Sequence, residues 1–217
     1  MWLKDNQIEA ILFDLDGTLL DTSEGIMNSL RYTLGVLGLS SLSDETIRKF
    51  IGPPIQESLQ KYAGLSTEAA QEGANVFRDY YKSKALYEAR LYDGIIPLME
   101  WLKKNGYKIA VATYKREDYA IDILRHFGLA EYCSVIHGAD NMNKLTKTDI
   151  INLCCTELGV KKERVLLIGD TEHDAKGAAV AGVKFCAVTW GFGYKNDETS
   201  SAYPIDLVCN MPKEIIE

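Results

Sequence analysis

The sequence predicts an α/β protein, a doubly wound parallel sheet with helices on both faces and a helical domain inserted into it. Short apolar runs rich in valine and isoleucine recur along the chain, with amphipathic helical stretches between them. One long section, 22–90, breaks that alternation, because it carries helical patterns and no convincing strand. An early apolar run also stops abruptly at two aspartates one residue apart, which marks where chemistry belongs.

That first run, Ile8–Phe13, has the length and composition of a buried strand and delivers Asp14 and Asp16 to its tip. In extended backbone the side chains at i and i+2 share a face, so both carboxylates reach one small volume. Gly17 permits a tight exit and Thr18 offers a hydroxyl. Two close carboxylates repel each other unless a cation lies between them or one holds a proton. Oxygen-only ligands favour a hard metal ion, most simply magnesium. A single aspartate at a strand end is otherwise a turn former or a helix cap.

The section that follows is punctuated by Gly38, Gly52-Pro53-Pro54 and Gly64. A structureless connection of that length would be exceptional. It therefore reads as a helical domain over 22–90, placed above the strand tips and inserted into a core made of 1–21 and 91–217. Further strands are expected at Ile109–Ala112, Val165–Ile168 and Phe185–Val188. Helices are expected at roughly Ile95–Asn105, Arg116–Phe127, Thr148–Leu158 and Thr171–Ala181, most of them closed by a glycine. In such a sheet the ligand site lies at the carboxyl ends of the strands.

Composition narrows the function classes. With 217 residues, 47% hydrophobic and 25% charged, the chain suits one large domain or a core with an insertion. A formal charge of −7 disfavours nucleic-acid binding, which demands a basic face. The first residues lack the apolar stretch of a signal peptide, and no run approaches the roughly 18 apolar residues of a membrane span. A cytoplasmic protein without a membrane partner is the expectation. The 5 cysteines, without CxxC spacing, point to reduced thiols packed as small apolar groups.

The string Asp14-Leu-Asp16-Gly-Thr-Leu-Leu-Asp21-Thr22 resembles the first signature of the haloacid dehalogenase superfamily of aspartate-based phosphotransferases. Three further segments are similar to that family in order and spacing: Val111-Ala-Thr-Tyr-Lys115, Lys147-Thr-Asp-Ile-Ile151, and Val165-Leu-Leu-Ile-Gly-Asp170-Thr-Glu-His-Asp174. The resemblance implies an α/β core with a helical cap inserted after the first signature. It implies Asp14 as nucleophile, Asp16 as general acid and base, and Thr113 and Lys147 as ligands of the phosphoryl group, with Lys144 as the competing lysine. It also implies a magnesium site built from the Asp14 carboxylate, the Asp16 backbone carbonyl and Asp170, with Asp174 orienting metal-bound water or Lys147.

Two departures qualify the likeness. Tyr114 stands where most relatives carry asparagine, and His173 lies between two acids without a required role. The segment Arg48–Ser58 resembles the cap loop of phosphoglycolate phosphatases, in which Arg48, Lys49 and the turn at Gly52-Pro53 would meet a second anionic group. Equally, those prolines separate two helices. Tyr62, Tyr80, Tyr81 and Tyr87 read as core and surface filler.

The implied activity is magnesium-dependent hydrolysis of a small phosphate monoester through an aspartyl-phosphate, carried out by a monomer or homodimer. Asp16 argues against carbon–halogen cleavage, which needs no leaving-group acid. A 5′-nucleotidase, a pyrophosphatase and a sugar phosphomutase are alternatives within the superfamily. A non-catalytic binding protein would need a broken acid set, and the set is intact.

Overall fold

A computed structural model describes residues 2–142, 144–195 and 201–217. The chain divides into two compact units, one of Met1–Leu20 with Leu91–Glu217 and one of Asp21–Arg90.

A turn of helix, α1 (Trp2–Asp5), precedes strand β1 (Ala10–Phe13), all four residues of which are buried. The chain leaves through β2 (Leu20–Asp21), builds α2 (Ser23–Val36), α3 (Asp44–Arg48), α4 (Ile55–Ala63) and α5 (Thr67–Tyr80), and returns through β3 (Arg90–Leu91), which pairs with β2. Regular alternation follows: α6 (Ile95–Lys104), β4 (Lys108–Arg116), α7 (Glu117–His126), β5 (Val135–Ala139), α8 (Lys147–Leu158), β6 (Val165–Gly169), α9 (Glu172–Ala181), β7 (Lys184–Val188) and β8 (Leu207–Cys209).

Among the described residues, β5-β4-β1-β6-β7-β8 form one sheet, with every neighbouring pair parallel. From β1 the strand order runs outward in both directions, so the switch point of this α/β sheet lies at its carboxyl end. That is where such folds bind ligands. Period-two alternation then assigns faces. Leu12 of β1, Ala110 and Ala112 of β4 and Leu167 of β6 pack in one cluster with Ile150, Ile151 and Cys154 of α8 and Ala175 and Ala178 of α9. Asp14, two residues beyond Leu12, continues along the face that α8 and α9 cover.

Besides the short β2 and β3, two strands of the six-stranded sheet went unanticipated. The run Val135-Ile-His-Gly-Ala139 is interrupted by a polar residue, and Leu207–Cys209 spans only three residues. Both are edge strands, where one side lacks a neighbour and continuous apolar sequence is not required. Strand β4 also runs past Ala112 to Arg116, with an irregular register between those two residues. The following helix therefore starts at Glu117 and not at Arg116.

Local chemistry explains the ends. Thr146 caps α8 by accepting the Asp149 amide at 3.2 Å, and the Asp149 carboxylate accepts the Thr146 amide in return at 2.9 Å. Gly159 ends the same helix in the left-handed conformation, φ 62°. All five cysteines are free thiols, four of them buried. Burial pushes the Cys133 and Cys154 thiols up to about 12.

The unit Asp21–Arg90 is helical apart from the strand residues at its two ends. Ser43 and Ser66 cap α3 and α5 by accepting the amides of Thr46 and Ala69. Leu30, Leu34, Ile47, Leu59, Ala70 and Ala74 make its core. Tyr32 stacks on Tyr80 at 4.3 Å, Tyr62 packs against Phe50, Tyr81 is buried and Tyr87 is exposed. Arg48 closes α3 on the surface, and Gly52 sits in the turn before α4 with φ 101°. Among the described residues no helix is long and apolar enough to cross a membrane.

Candidate active site

The carboxyl end of the sheet gathers four aspartates and two lysines. Asp14 follows β1 directly, its amide donating to the Ile168 carbonyl of β6 at 2.8 Å. Its Oδ1 lies 2.7 Å from Lys147 Nζ, and the same ammonium lies 2.6 Å from Asp174 Oδ1. Lys147 is the first residue of α8, and its side chain is only 2% exposed. A cation at a helix amino terminus opposes the macrodipole, and a buried lysine is rare unless paired. Here two carboxylates compensate both penalties. Lys144, by contrast, is exposed and its amide donates to Asp140 Oδ2 at 2.8 Å, so Lys147 is the lysine that meets Asp14.

Each partner of Lys147 is fixed independently. Asp174 lies in the first turn of α9, and its second oxygen accepts the Thr171 amide at 3.1 Å and the Thr171 hydroxyl at 2.7 Å. It therefore caps a helix and holds Lys147 at once. Gly177, one turn along α9, has no side chain because the Lys147 stem crosses it. A Cβ there would lie 2.6 Å from Lys147 Cγ. Burial lowers the proton affinity of Lys147, but the Asp14 and Asp174 carboxylates outweigh it and hold the ammonium form above its usual range. Asp14 goes the other way. Burial, aided by Asp174 and Asp16 and opposed by Lys147, raises its carboxyl group to about 6.

Asp170, after β6, is fully buried. Its Oδ2 accepts the amides of Phe192 at 2.7 Å and Gly193 at 3.3 Å, and the Thr18 hydroxyl lies 3.5 Å from Oδ1. Among the described residues no lysine, arginine or histidine pairs with it. Burial first, then Asp174 and Asp14, push its carboxyl group well above the usual range. Carboxylate oxygens of Asp14, Asp170 and Asp174 all lie within 4.8 Å of one another. A buried carboxylate without a cation, beside two others, is a donor set that fits a hard divalent ion. Asp174 thus stands among the carboxylates that could hold such an ion, as well as on Lys147.

The remaining site residues come from β4. Thr113 is buried, and its hydroxyl accepts the Lys115 amide at 3.2 Å, which leaves its own proton to donate. Tyr114 turns its hydroxyl to accept the Lys147 amide at 2.9 Å, and its ring meets His173 edge-on at 5.9 Å. The position read as an asparagine substitution is thus a brace between β4 and α8. Asp16 pairs with Lys115, whose Nζ lies 2.8 and 3.0 Å from its two carboxylate oxygens.

Two contributors were missed in the sequence. Lys115 carried no signal beyond following a strand. The loop Trp190-Gly-Phe-Gly193 after β7 supplies the amides on Asp170, and Trp190 Nε1 donates to the Thr18 carbonyl at 3.1 Å. Its glycines after a buried strand were the available hint. Gly17, with φ 85°, belongs to the same close packing, since any Cβ there would collide with Asp170. Arg48 and Gly52 belong to the helical unit.

Comparison with known proteins agrees with this geometry. The model of the haloacid dehalogenase-like hydrolase family matches residues 11–188. Tyrosine-protein kinase PtkA of Mycobacterium tuberculosis is 36% identical, over 89% of this chain and 67% of its own. A 5′-nucleotidase of Pseudomonas aeruginosa is 36% identical over 93% of this chain and 91% of its own. A phosphoglycolate phosphatase of Aquifex aeolicus is 32% identical over 97% and 100%. The crystal structure of a predicted phosphatase from Clostridium acetobutylicum superposes with a TM-score of 0.89 at 35% identity, covering 96% of each chain.

Proposed function

We propose that this chain, which belongs to the haloacid dehalogenase-like hydrolases, is a magnesium-dependent phosphatase that hydrolyses a small phosphate monoester through an aspartyl-phosphate on Asp14. The observation that carries the reading is the Asp14–Lys147 contact of 2.7 Å beside the buried Asp170, which no lysine, arginine or histidine among the described residues pairs with. One acid is held and charge-balanced, while the other has the burial and neighbours that a hard divalent ion would suit.

Hydrolysis of a phosphate monoester is limited by charge and positioning. Lys147 and the Thr113 hydroxyl would bind and neutralise the phosphoryl oxygens, presenting phosphorus to the Asp14 carboxylate. Asp14 attacks, the phosphorus–oxygen bond to the alcohol breaks, and Asp16 gives its proton to the departing oxygen. Asp16 then takes a proton from water, which attacks the aspartyl-phosphate and restores Asp14. A magnesium ion held by Asp14, the Asp16 carbonyl and Asp170, with Asp174 beside it, would screen the charge that otherwise keeps two anions apart.

The names of two of these relatives, a nucleotidase and a phosphoglycolate phosphatase, share hydrolysis of a phosphate ester and differ in the alcohol, while the third is named a tyrosine kinase. Phosphoglycolate-like small esters are the favoured class. Phosphate release from a panel of phosphoglycolate, sugar phosphates, nucleotides and pyrophosphate, run with magnesium and with chelator, tests the proposal. Magnesium-dependent release that disappears in Asp14→Asn supports it. Transfer from ATP to protein tyrosine with no ester hydrolysed, or release that survives Asp14→Asn, overturns it.

A further inference from the structure

We propose that Lys115 is a positioning residue that aims the Asp16 carboxyl group at the leaving-group oxygen; the inference rests on the phosphatase reading above. Lys115 stands two residues beyond Thr113 on β4, the strand beside β1 in the sheet, and so reaches across to the segment that follows β1. Its Nζ contacts both Asp16 oxygens, at 2.8 and 3.0 Å, and the two side chains are only 5% and 12% exposed.

The site thus divides its two ammonium groups. Lys147 serves Asp14 and Asp174, while Lys115 serves Asp16. Immobilising a lysine costs rotamer entropy, and withdrawing its charge from water costs more. Charge balance around Asp14 does not require it, because Lys147 already supplies that. What Lys115 adds is direction. An aspartate on an irregular segment keeps torsional freedom about its side-chain bonds, and a donor engaging both oxygens removes it. When Asp16 is protonated, one oxygen remains on Lys115 and the other carries the proton toward the ester oxygen. As the phosphorus–oxygen bond breaks, the alcohol oxygen keeps the bonding electron pair and takes that proton. The resulting carboxylate returns both oxygens to Lys115, the arrangement seen here. Through its own amide Lys115 also orients the Thr113 hydroxyl.

A general-acid role has a signature that mere folding support lacks. An alkoxide needs a proton to depart, whereas nitrophenolate leaves without one. The ratio of kcat/KM for an alkyl phosphate to that for p-nitrophenyl phosphate therefore reads how well the acid is placed, since both esters share every later step. In Lys115→Met and Lys115→Gln that ratio is expected to fall by roughly 10-fold or more, within the range a general acid contributes. Lys115→Arg, which keeps the charge and the donors, is expected to recover most of it, and Asp16→Asn to show the same skew more strongly. Equal losses on both esters, or no change on either, in whichever variant folds by circular dichroism, overturn the proposal. A wild-type protein that hydrolyses neither ester overturns the phosphatase reading, and this inference with it.

Discussion

The hydroxyl of Tyr114 accepts the backbone amide of Lys147 at 2.9 Å, so the residue that departs from the family pattern holds the start of the helix on which the active-site lysine sits. The first amides of a helix have no partner within it, and a phenol is an effective external acceptor. The bond ties the end of β4 to the end of β1 through the Lys147–Asp14 pair.

Tyr114→Phe removes only that acceptor. The amide becomes unsatisfied in a partly hydrated position, and a loss of about 1 kcal/mol is expected, read as a lower urea midpoint with unchanged slope. Turnover is expected to fall several-fold as Lys147 loses its anchor. An unchanged midpoint together with unchanged kinetics would show that the hydroxyl is dispensable.

How much of this was legible beforehand follows from where each signal resides. β1, β6 and β7 are buried on both faces and sides, so their apolar runs stand out. β5 is an edge strand whose His137 lies between Glu117 at 3.1 Å and Glu157 at 2.8 Å, and that polar clasp hides the strand. Asp14 and Asp170 could be picked out because they follow apolar strand runs, and Asp174 because it opens the next helix, whereas Lys147 was marked only by the resemblance of its segment to the family's. Lys115 could not be picked out, because a lysine after a strand looks solvated until β1 and β4 are paired. The donors to Asp170 are backbone amides, which no residue type announces.

Lys147→Met tests the paired acids. Removing the ammonium leaves two buried carboxylates facing each other, and breaking a buried pair from one side typically costs about 3–5 kcal/mol. Turnover is expected to drop by more than roughly 100-fold, the order lost when a single charge-stabilising donor is removed. Magnesium should stabilise the variant more than the wild type, because its ion has more uncompensated charge to neutralise. Equal thermal shifts on adding magnesium would contradict this account.

Asp14 predicts a pH dependence. Its carboxyl group lies at about 6 in the folded chain against 3.8 ordinarily, chiefly through burial. Between those values the folded protein holds more protons than the unfolded one, so the metal-free protein should lose stability as pH rises from about 4 to about 6. Binding of a cation must then displace that proton. Calorimetry of magnesium binding in buffers of different ionisation enthalpy should report more protons released near pH 5 than at pH 8, with Asp170, whose carboxyl group burial also raises, adding to the release. Equal release at both pH values would place the Asp14 carboxyl group elsewhere.

Gly17→Ala probes the packing around Asp170. The position has φ 85°, and a methyl group there would run into the Asp170 carboxylate and come within 2.7 Å of the Phe192 ring. Backbone strain and overpacking together should cost about 1–3 kcal/mol. The larger effect falls on function, because Asp170 can only yield by moving off the Phe192 and Gly193 amides and away from Asp14 and Asp174. Magnesium affinity, measured by calorimetry on protein shown to be folded, is expected to weaken by at least roughly 10-fold, since a misplaced carboxylate cannot complete an oxygen shell. Gly35→Ala, in helix α2 with open space around it, is the control and should leave magnesium affinity unchanged. If both substitutions leave affinity intact, Asp170 is not held by this glycine, and the close packing between the first turn and the Trp190–Gly193 loop serves the fold alone.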